Sequence, residues 1–501
     1  MTHLLIWLTG ISLVELVIWL PGPWIARKLN ACFVIISLPV ISGLLFGMHF
    51  QIWAGIILVL SIYRVINLLR IVEDRLQADY LFRATLQTSW TLVGAQLVVF
   101  AAMELSRRLG FDTSAWLYAL AIGQLAFALV LFISTWRHLR TTRPAAPAKT
   151  YTDRDLPTLS VAIPARNETD DLEACLESLI SSDYPKLEIL VLDDCSQNKR
   201  TPEIIRGYAQ TGVRFIAGKE PPKHWLAKNY AYQQLADEAN GELLLFCGVD
   251  TRFRPGSLGA MVKTLLSKKR QMMSVIPRNE LPKTWGLEAL MVQPVRYAWE
   301  LALPRRLFKR PPVLSTCWLI TKRALQAAGS FKAISNSISI ESYFAKYIIH
   351  HNYGYTFAQS NAAMSLESAK NLSEQRATAI RVRYPQLHRK PELVGLLSLT
   401  ELALLIMPFG LLIAGFAARS WPLCVLGFIN SVLLVSLYSR IVSLTYRQFL
   451  LRGLWLLPFA VIYDVCLLNY SMWRYEFREV LWKGRNVCIP VMRVIPQLPK
   501  I

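Results

Sequence analysis

Apolar residues in this chain fall into two patterns, with long runs towards both ends and short segments, separated by polar stretches, in the middle. Helical runs of about 20 mostly apolar residues match the thickness of a bilayer. Five candidates lie in the amino-terminal third, near 4–22, 31–49, 52–69, 89–104 and 115–135, and two more near 393–416 and 421–439. The first has the look of a secretory signal. Glu15 interrupts it, however, and no small-residue cleavage site follows, so it reads as a retained segment. A further run, 451–473, contains Arg452, Asp464 and Asn469 and leads into a basic tail. Two readings stand for it, a segment that lies in or re-enters the interface and a complete crossing.

Between these ends the period changes. Strand-like runs at 159–164, 187–192, 213–217, 242–247 and 273–277 are separated by helix-like stretches at 170–181, 199–210, 226–239 and 256–268. That alternation predicts βαβ units around a mainly parallel sheet, an α/β domain flanked by transmembrane helices. The segments LSVAIPARNE, LEILVLDDCS and GELLLFCGVDT each end an apolar run in polar residues, where an open α/β sheet presents ligand groups. No GxGxxG follows the first strand and no GxxxxGK[ST] occurs in the segment, so dinucleotide and Walker-type readings lose support.

Composition adds a membrane and an anionic partner to this picture. The chain has 501 residues, 53% of them hydrophobic, and a net charge of +21; its mean hydropathy is +0.33. Such a chain is too apolar for an ordinary soluble protein. Its excess of 55 Lys+Arg over 34 Asp+Glu suits anionic headgroups and a phosphorylated substrate. Basic residues sit beside apolar runs and form no single polar stripe, which speaks against nucleic acid as a partner. The eight cysteines include no CxxC pair and no His at zinc spacing, which removes a metal knuckle or disulfide framework.

Loop charge orients the spans. Arg27 and Lys28 follow the first run, Arg64, Arg70, Arg75 and Arg83 surround the third-to-fourth connection, and Arg137, Arg140 and Arg143 follow the fifth. By the positive-inside rule the amino terminus is outside and the α/β domain is cytoplasmic, in a multi-pass protein of the cell inner (plasma) membrane. The expected organisation is a five-span region over 1–140, a Pro/Ala-rich linker over 141–157 and the α/β domain over 158–390. Two or three membrane or interfacial helices follow over 391–473, then a basic cytoplasmic tail over 474–501.

The segments VAIPARNE, LEILVLDDCSQNKRT, WLAKNYA, GELLLFCGVDT and GLEALMVQPVRYAWELALP, with LWKGRNV near the end, resemble family 2 glycosyltransferases with the GT-A fold. They are most similar to the membrane-attached branch that glucosylates carotenoid, hopanoid and ceramide-like lipids. The resemblance covers about 157–388 and the last few residues. It implies transfer of a sugar from a nucleotide diphosphate sugar to a membrane lipid hydroxyl, by inverting single displacement, with a divalent cation (Mg or Mn). A processive polysaccharide synthase, or a catalytically degenerate GT-A scaffold, are the alternatives.

Three departures accompany it. Gly248 stands where the family has the first metal-site aspartate, Glu341 is the lone carboxylate where the family has Glu-Asp, and Ile380 replaces the Gln of Gln-x-x-Arg-Trp. On this resemblance Asp193, Asp194, Trp225 and Lys228 hold the donor, Asp250 the metal, and Glu341 takes the acceptor proton. Asn167 and Glu168 either contact the nucleoside or cap the next helix, and Glu341 is equally readable as a capping acid. Arg381 and Arg383 reach either the diphosphate or lipid headgroups. The apolar face of Leu287, Leu290, Met291, Val295 and Trp299 within 285–303 fits an in-plane helix or ordinary core.

Overall fold

The computed structural model describes residues 2–48, 52–73, 79–110, 113–143, 151–223, 225–279, 289–302, 311–446 and 453–487. Arg75, Leu287 and Arg452 lie outside them. Ten strands are described in the central domain: β1 Leu159–Ala165, β2 Leu187–Asp193, β3 Val213–Ala217, β4 Leu243–Cys247, β5 Thr251–Phe253, β6 Met272–Ile276, β7 Arg278–Asn279, β8 Cys317–Thr321, β9 Tyr355–Gln359 and β10 Leu366–Ser368. Seven form one sheet in the order β3-β2-β1-β4-β8-β6-β9. Every pairing in it is parallel except those of β8, which runs antiparallel to both β4 and β6. The short strands β5, β10 and β7 make a second sheet beside it.

The central strands are apolar along their length because helices cover both faces, as parallel sheets require. Leu243–Cys247 is buried at every position. One face packs Val161, Ile163 and Leu245 against the Asp170–Ile180 and Ser257–Ser267 helices. The other packs Phe246, Trp318, Phe331 and Phe344, with Phe246 and Trp318 stacked at 4.5 Å between centroids. Such aromatic pairs contribute about 0.5–1.5 kcal/mol beyond the burial of their area. The register aligns Ala165 with Asp193, so the polar loops after β1 and β2 emerge side by side at one edge.

Seven helices among the described residues are long and apolar enough to cross a membrane: Trp24–Met48, Trp53–Val72, Phe82–Ser106, Leu117–Thr141, Pro391–Ala417, Trp421–Thr445 and Trp455–Phe477. The first apolar run forms only the 16-residue helix Thr2–Val17, which stops before Pro21 and Pro23. Gln359 fastens the helical region to the domain, its Nε2 donating to Leu139 O at 2.8 Å and Thr142 Oγ1 at 2.6 Å.

The run expected at 451–473 belongs to the Gly453–Phe477 helix, whose carboxyl-terminal part meets the α/β domain. Tyr446, just before it, accepts a hydrogen bond from Gln375 Nε2. Near its end, Tyr475 donates to Arg381 O at 2.7 Å and Glu476 accepts from Tyr384 at 2.7 Å. The chain then forms the hairpin Leu481–Trp482 with Arg485–Asn486, labelled β11 and β12, which docks on the loops after β1 and β2.

Candidate active site

A cavity of about 340 Å³ opens at the carboxyl ends of β1 and β4. Glu168, Gly248 and Asp250 come from the strand-end loops, Lys228 and Tyr232 from the Ala227–Glu238 helix. The opposite wall is built by Gln293, Arg296 and Tyr297 of Ala289–Ala302, by Arg381 and Arg383 of Leu372–Gln386, and by Asp464. Trp482 and Lys483 of the hairpin close a third side. The Leu372–Gln386 helix is fixed by a capping box, in which Asn371 Oδ1 accepts from Glu374 N at 3.0 Å and Asn371 N donates to Glu374 Oε2 at 3.1 Å.

Asp250 faces the positive charges of Lys370, Lys228 and Arg381. Lys370 Nζ lies 3.6 Å from its Oδ2, and Ser368 Oγ donates to the same oxygen at 3.4 Å. Burial alone would raise its pKa, but Lys370, a backbone N–H and Lys228 outweigh burial and hold the carboxyl below its ordinary value. Lys228 is pushed down to about 8, by burial first, with Arg381 and Lys370 adding repulsion and Glu341 opposing. Burial likewise draws Arg381 down to about 10.

This concentration of cations in a closed site suits a polyanion. A metal ion finds less: among the described residues no three His, Cys, Asp or Glu cluster to hold one. Gly248 leaves no second carboxylate, and a Cβ there would stand 2.3 Å from Asp250 Oδ1. An ion at Asp250 would therefore take most of its oxygen ligands from a bound phosphate compound.

The loops after β1 and β2 are already interlocked. Asn167, at φ 51°, accepts Gln197 N at 2.8 Å through its Oδ1 and donates its own N–H to Ser196 Oγ at 2.9 Å. Asp193 Oδ1 accepts from Ser196 N at 3.2 Å within its own turn. Asp194 is 3% exposed and holds Arg485, while Arg166 donates to the carbonyls of Asp194 and Cys195 at 2.6 and 2.7 Å. Burial raises the Asp194 carboxyl against the pull of Arg485. Glu168, also raised by burial, pairs with Lys483 at 3.0 Å.

Of the expected site residues, the cavity thus gathers Glu168, Lys228, Asp250, Arg381 and Arg383. Asn167, Asp193, Asp194, Trp225 and Glu341 are not on its wall. Trp225 packs against the aromatic core, edge-on to Tyr230 at 5.4 Å. Glu341 is 4% exposed in the first turn of Ile340–His350 and acts on Lys228 and Arg381 through its charge. Tyr232, Arg296, Lys370, Asp464 and Trp482 escaped sequence reasoning. Tyr232 had one legible signal, its place one helical turn after Lys228, whose ammonium lies 5.3 Å from the ring centroid.

Residues 160–328 match the model of the family described as Glycosyl transferase family 2. This stretch is a glycosyltransferase family 2 domain, with the mixed, mostly parallel sheet described above. The chain is 28% identical over 130 residues to a probable glycosyltransferase, YdaM, of Bacillus subtilis, covering 25% of this chain and 30% of that one. It is 31% identical over 129 residues to a 4,4'-diaponeurosporenoate glycosyltransferase of Staphylococcus haemolyticus, covering 25% and 34%. It thus spans about a third of the length of the curated relatives it matches. Among solved structures, a mannosyltransferase of Pyrobaculum calidifontis in complex with GDP-Man and Mn2+ aligns at 22% identity and a TM-score of 0.43, over 67% of this chain and 97% of that one.

Proposed function

We propose that this chain moves a sugar from a nucleotide diphosphate sugar to a hydroxyl of a membrane lipid, by single displacement with inversion. The observation that carries the reading is one cavity in which Lys228, Lys370 and Asp250 face a wall formed by Arg381 and by parts of Ala289–Ala302 and Gly453–Phe477. Those two helices pack against the apolar spans. The domain would lie on the cytoplasmic side of the cell inner membrane, where nucleotide sugars are made, with Gly453–Phe477 along the interface.

In the reaction, the bond between the anomeric carbon and the diphosphate oxygen breaks as the acceptor oxygen bonds to that carbon. Negative charge grows on the departing diphosphate, and Lys228 and Arg381 would stabilise it more in the transition state than before. Glu341, expected from the resemblance to act as base, is buried off the cavity wall and would take the hydroxyl proton only after turning towards the cavity. A divalent ion, Mg or Mn, entering with the donor at Asp250 would act as a Lewis acid on the phosphates. A non-catalytic scaffold is the second reading, favoured by the pairing of Lys370 with Asp250 where a metal charge would otherwise stand.

Mass spectrometry of lipids from cells with and without the gene tests the proposal. A lipid one sugar heavier is expected to vanish on deletion and to return with the parent chain but not with Asp250→Asn. Identical lipid profiles would favour the scaffold.

A further inference from the structure

We propose that Arg383, Glu401 and Asp464 form the subsite that holds the acceptor hydroxyl, with the acceptor's hydrocarbon chain in the apolar crevice beside it. This rests on the reading above and names the acceptor end of the same cavity. Arg383 Nη2 forms ion pairs with Asp464 and, at 3.7 Å, with Glu401 Oε1. Glu401 is 1% exposed, and neither of its carboxylate oxygens accepts a hydrogen bond among the described residues. Asp464 Oδ2 is the oxygen that meets Arg383 Nη2, and the residue is on the cavity wall.

Glu476 shows a buried carboxylate with both oxygens matched to donors. It accepts from Arg70 at 2.7 and 2.8 Å and from Tyr384 at 2.7 Å. At Arg383, two carboxylates share one guanidinium, leaving an excess of acceptor oxygens where burial without donors is costly. The group that fits must donate hydrogen bonds, and a hydroxyl does so without adding charge.

The neighbouring crevice tells what carries that hydroxyl. It is lined by Val295, Ala298, Trp299, Leu437, Leu457 and Val461, with almost no polar surface. Val461 lies one helical turn from Asp464, and Val295 adjoins Arg296 of the cavity wall. Cavity and crevice therefore meet along the same two helices. A lipid alcohol with its oxygen at Asp464 would direct its chain among these side chains.

A photoreactive probe tests this without relying on turnover. The full chain, in nanodiscs of phosphatidylethanolamine and phosphatidylglycerol, would be irradiated with hexadecanol carrying a mid-chain diazirine. Adducts are expected to concentrate on residues 289–302 and 453–477. Asp464→Asn and Glu401→Gln should each lower labelling about tenfold, as loss of a hydrogen bond to a charged group implies. Ala298→Phe, which fills the crevice and spares the charged cluster, should abolish it, with nucleoside diphosphate binding retained in all three. Labelling spread evenly over the spans, or unchanged in every variant, would overturn the subsite. Labelling as expected in a protein that transfers no sugar would leave the subsite standing and remove the transferase reading instead.

Discussion

Arg485 and Asp194 lie 291 residues apart in the chain, yet Arg485 Nη1 donates to both oxygens of that carboxylate, at 2.9 and 2.8 Å. A second nitrogen, Nη2, reaches Glu220 at 3.0 Å. The pair fixes the hairpin that brings Trp482 and Lys483 to the cavity. Arg485→Ala should cost about 3 kcal/mol of stability, the low end for breaking a buried pair, because the guanidinium is 17% exposed. Adding Asp194→Asn should recover much of that loss. Thermal melts of the four proteins of this cycle check it. Nucleoside diphosphate affinity should fall in Arg485→Ala, and a rise would make the hairpin a plug over the site, not part of its wall.

Lys228 sets a pH dependence. With its ammonium pushed down to about 8, it is charged below that pH and neutral above it. A bound diphosphate favours the charged form, so binding above pH 8 should take up a proton, and affinity should decline by up to about tenfold per pH unit there. Calorimetry in two buffers of different ionisation enthalpy reads the proton. Lys228→Arg should flatten the profile, and a parent profile already flat from pH 7 to 10 would contradict the assignment. Folding stability has the opposite sign: the unfolded chain binds the extra proton between about pH 8 and 10.5, so this residue's contribution rises with pH across that window.

Glu341 and Asp250 separate chemistry from binding. Glu341→Gln should lower kcat by roughly 10²–10⁴-fold with donor affinity nearly intact, as expected for a general base. Asp250→Asn should lower both turnover and the response to added Mg or Mn. Single-turnover assays beside nucleotide titration distinguish the two. Full transfer by Glu341→Gln would remove it from the mechanism and direct attention to Asp464.

The sheet was legible because its signals are local. The ends of β1, β2 and β4 fall within a residue of the periodic runs, since each strand is mostly apolar and stops at polar residues. β8 is absent from the strand-like runs, and its antiparallel direction depends on pairing with β4 and β6. The donor side of the site was read from strand-end motifs, yet Asp194 and Asn167 proved to be bound by partners in other loops. The acceptor side was hidden. Asp464 and Glu401 reach Arg383 from separate helices, and no spacing along one segment announces such a meeting.

Gly248 offers a steric test. Because a Cβ at this position would stand 2.3 Å from Asp250 Oδ1, Gly248→Ala should turn the carboxylate away from Ser368 and Lys370. Turnover should fall towards that of Asp250→Asn with little change in melting temperature. Parent-like turnover would show that the orientation of Asp250 does not matter. Gly248→Asp meets the same obstacle, so a gain in metal affinity there requires Asp250 to rotate.

The central claim is sugar transfer from a nucleotide diphosphate sugar to a membrane lipid, and reconstitution tests it most directly. The full chain in liposomes made from its host's own lipid extract would be given UDP-, GDP- and dTDP-sugars in turn. With one of them, release of nucleoside diphosphate should equal the appearance of a lipid heavier by one sugar, and both should be lost in Asp250→Asn. Release no greater than in Asp250→Asn for every donor, with no heavier lipid, would contradict the account.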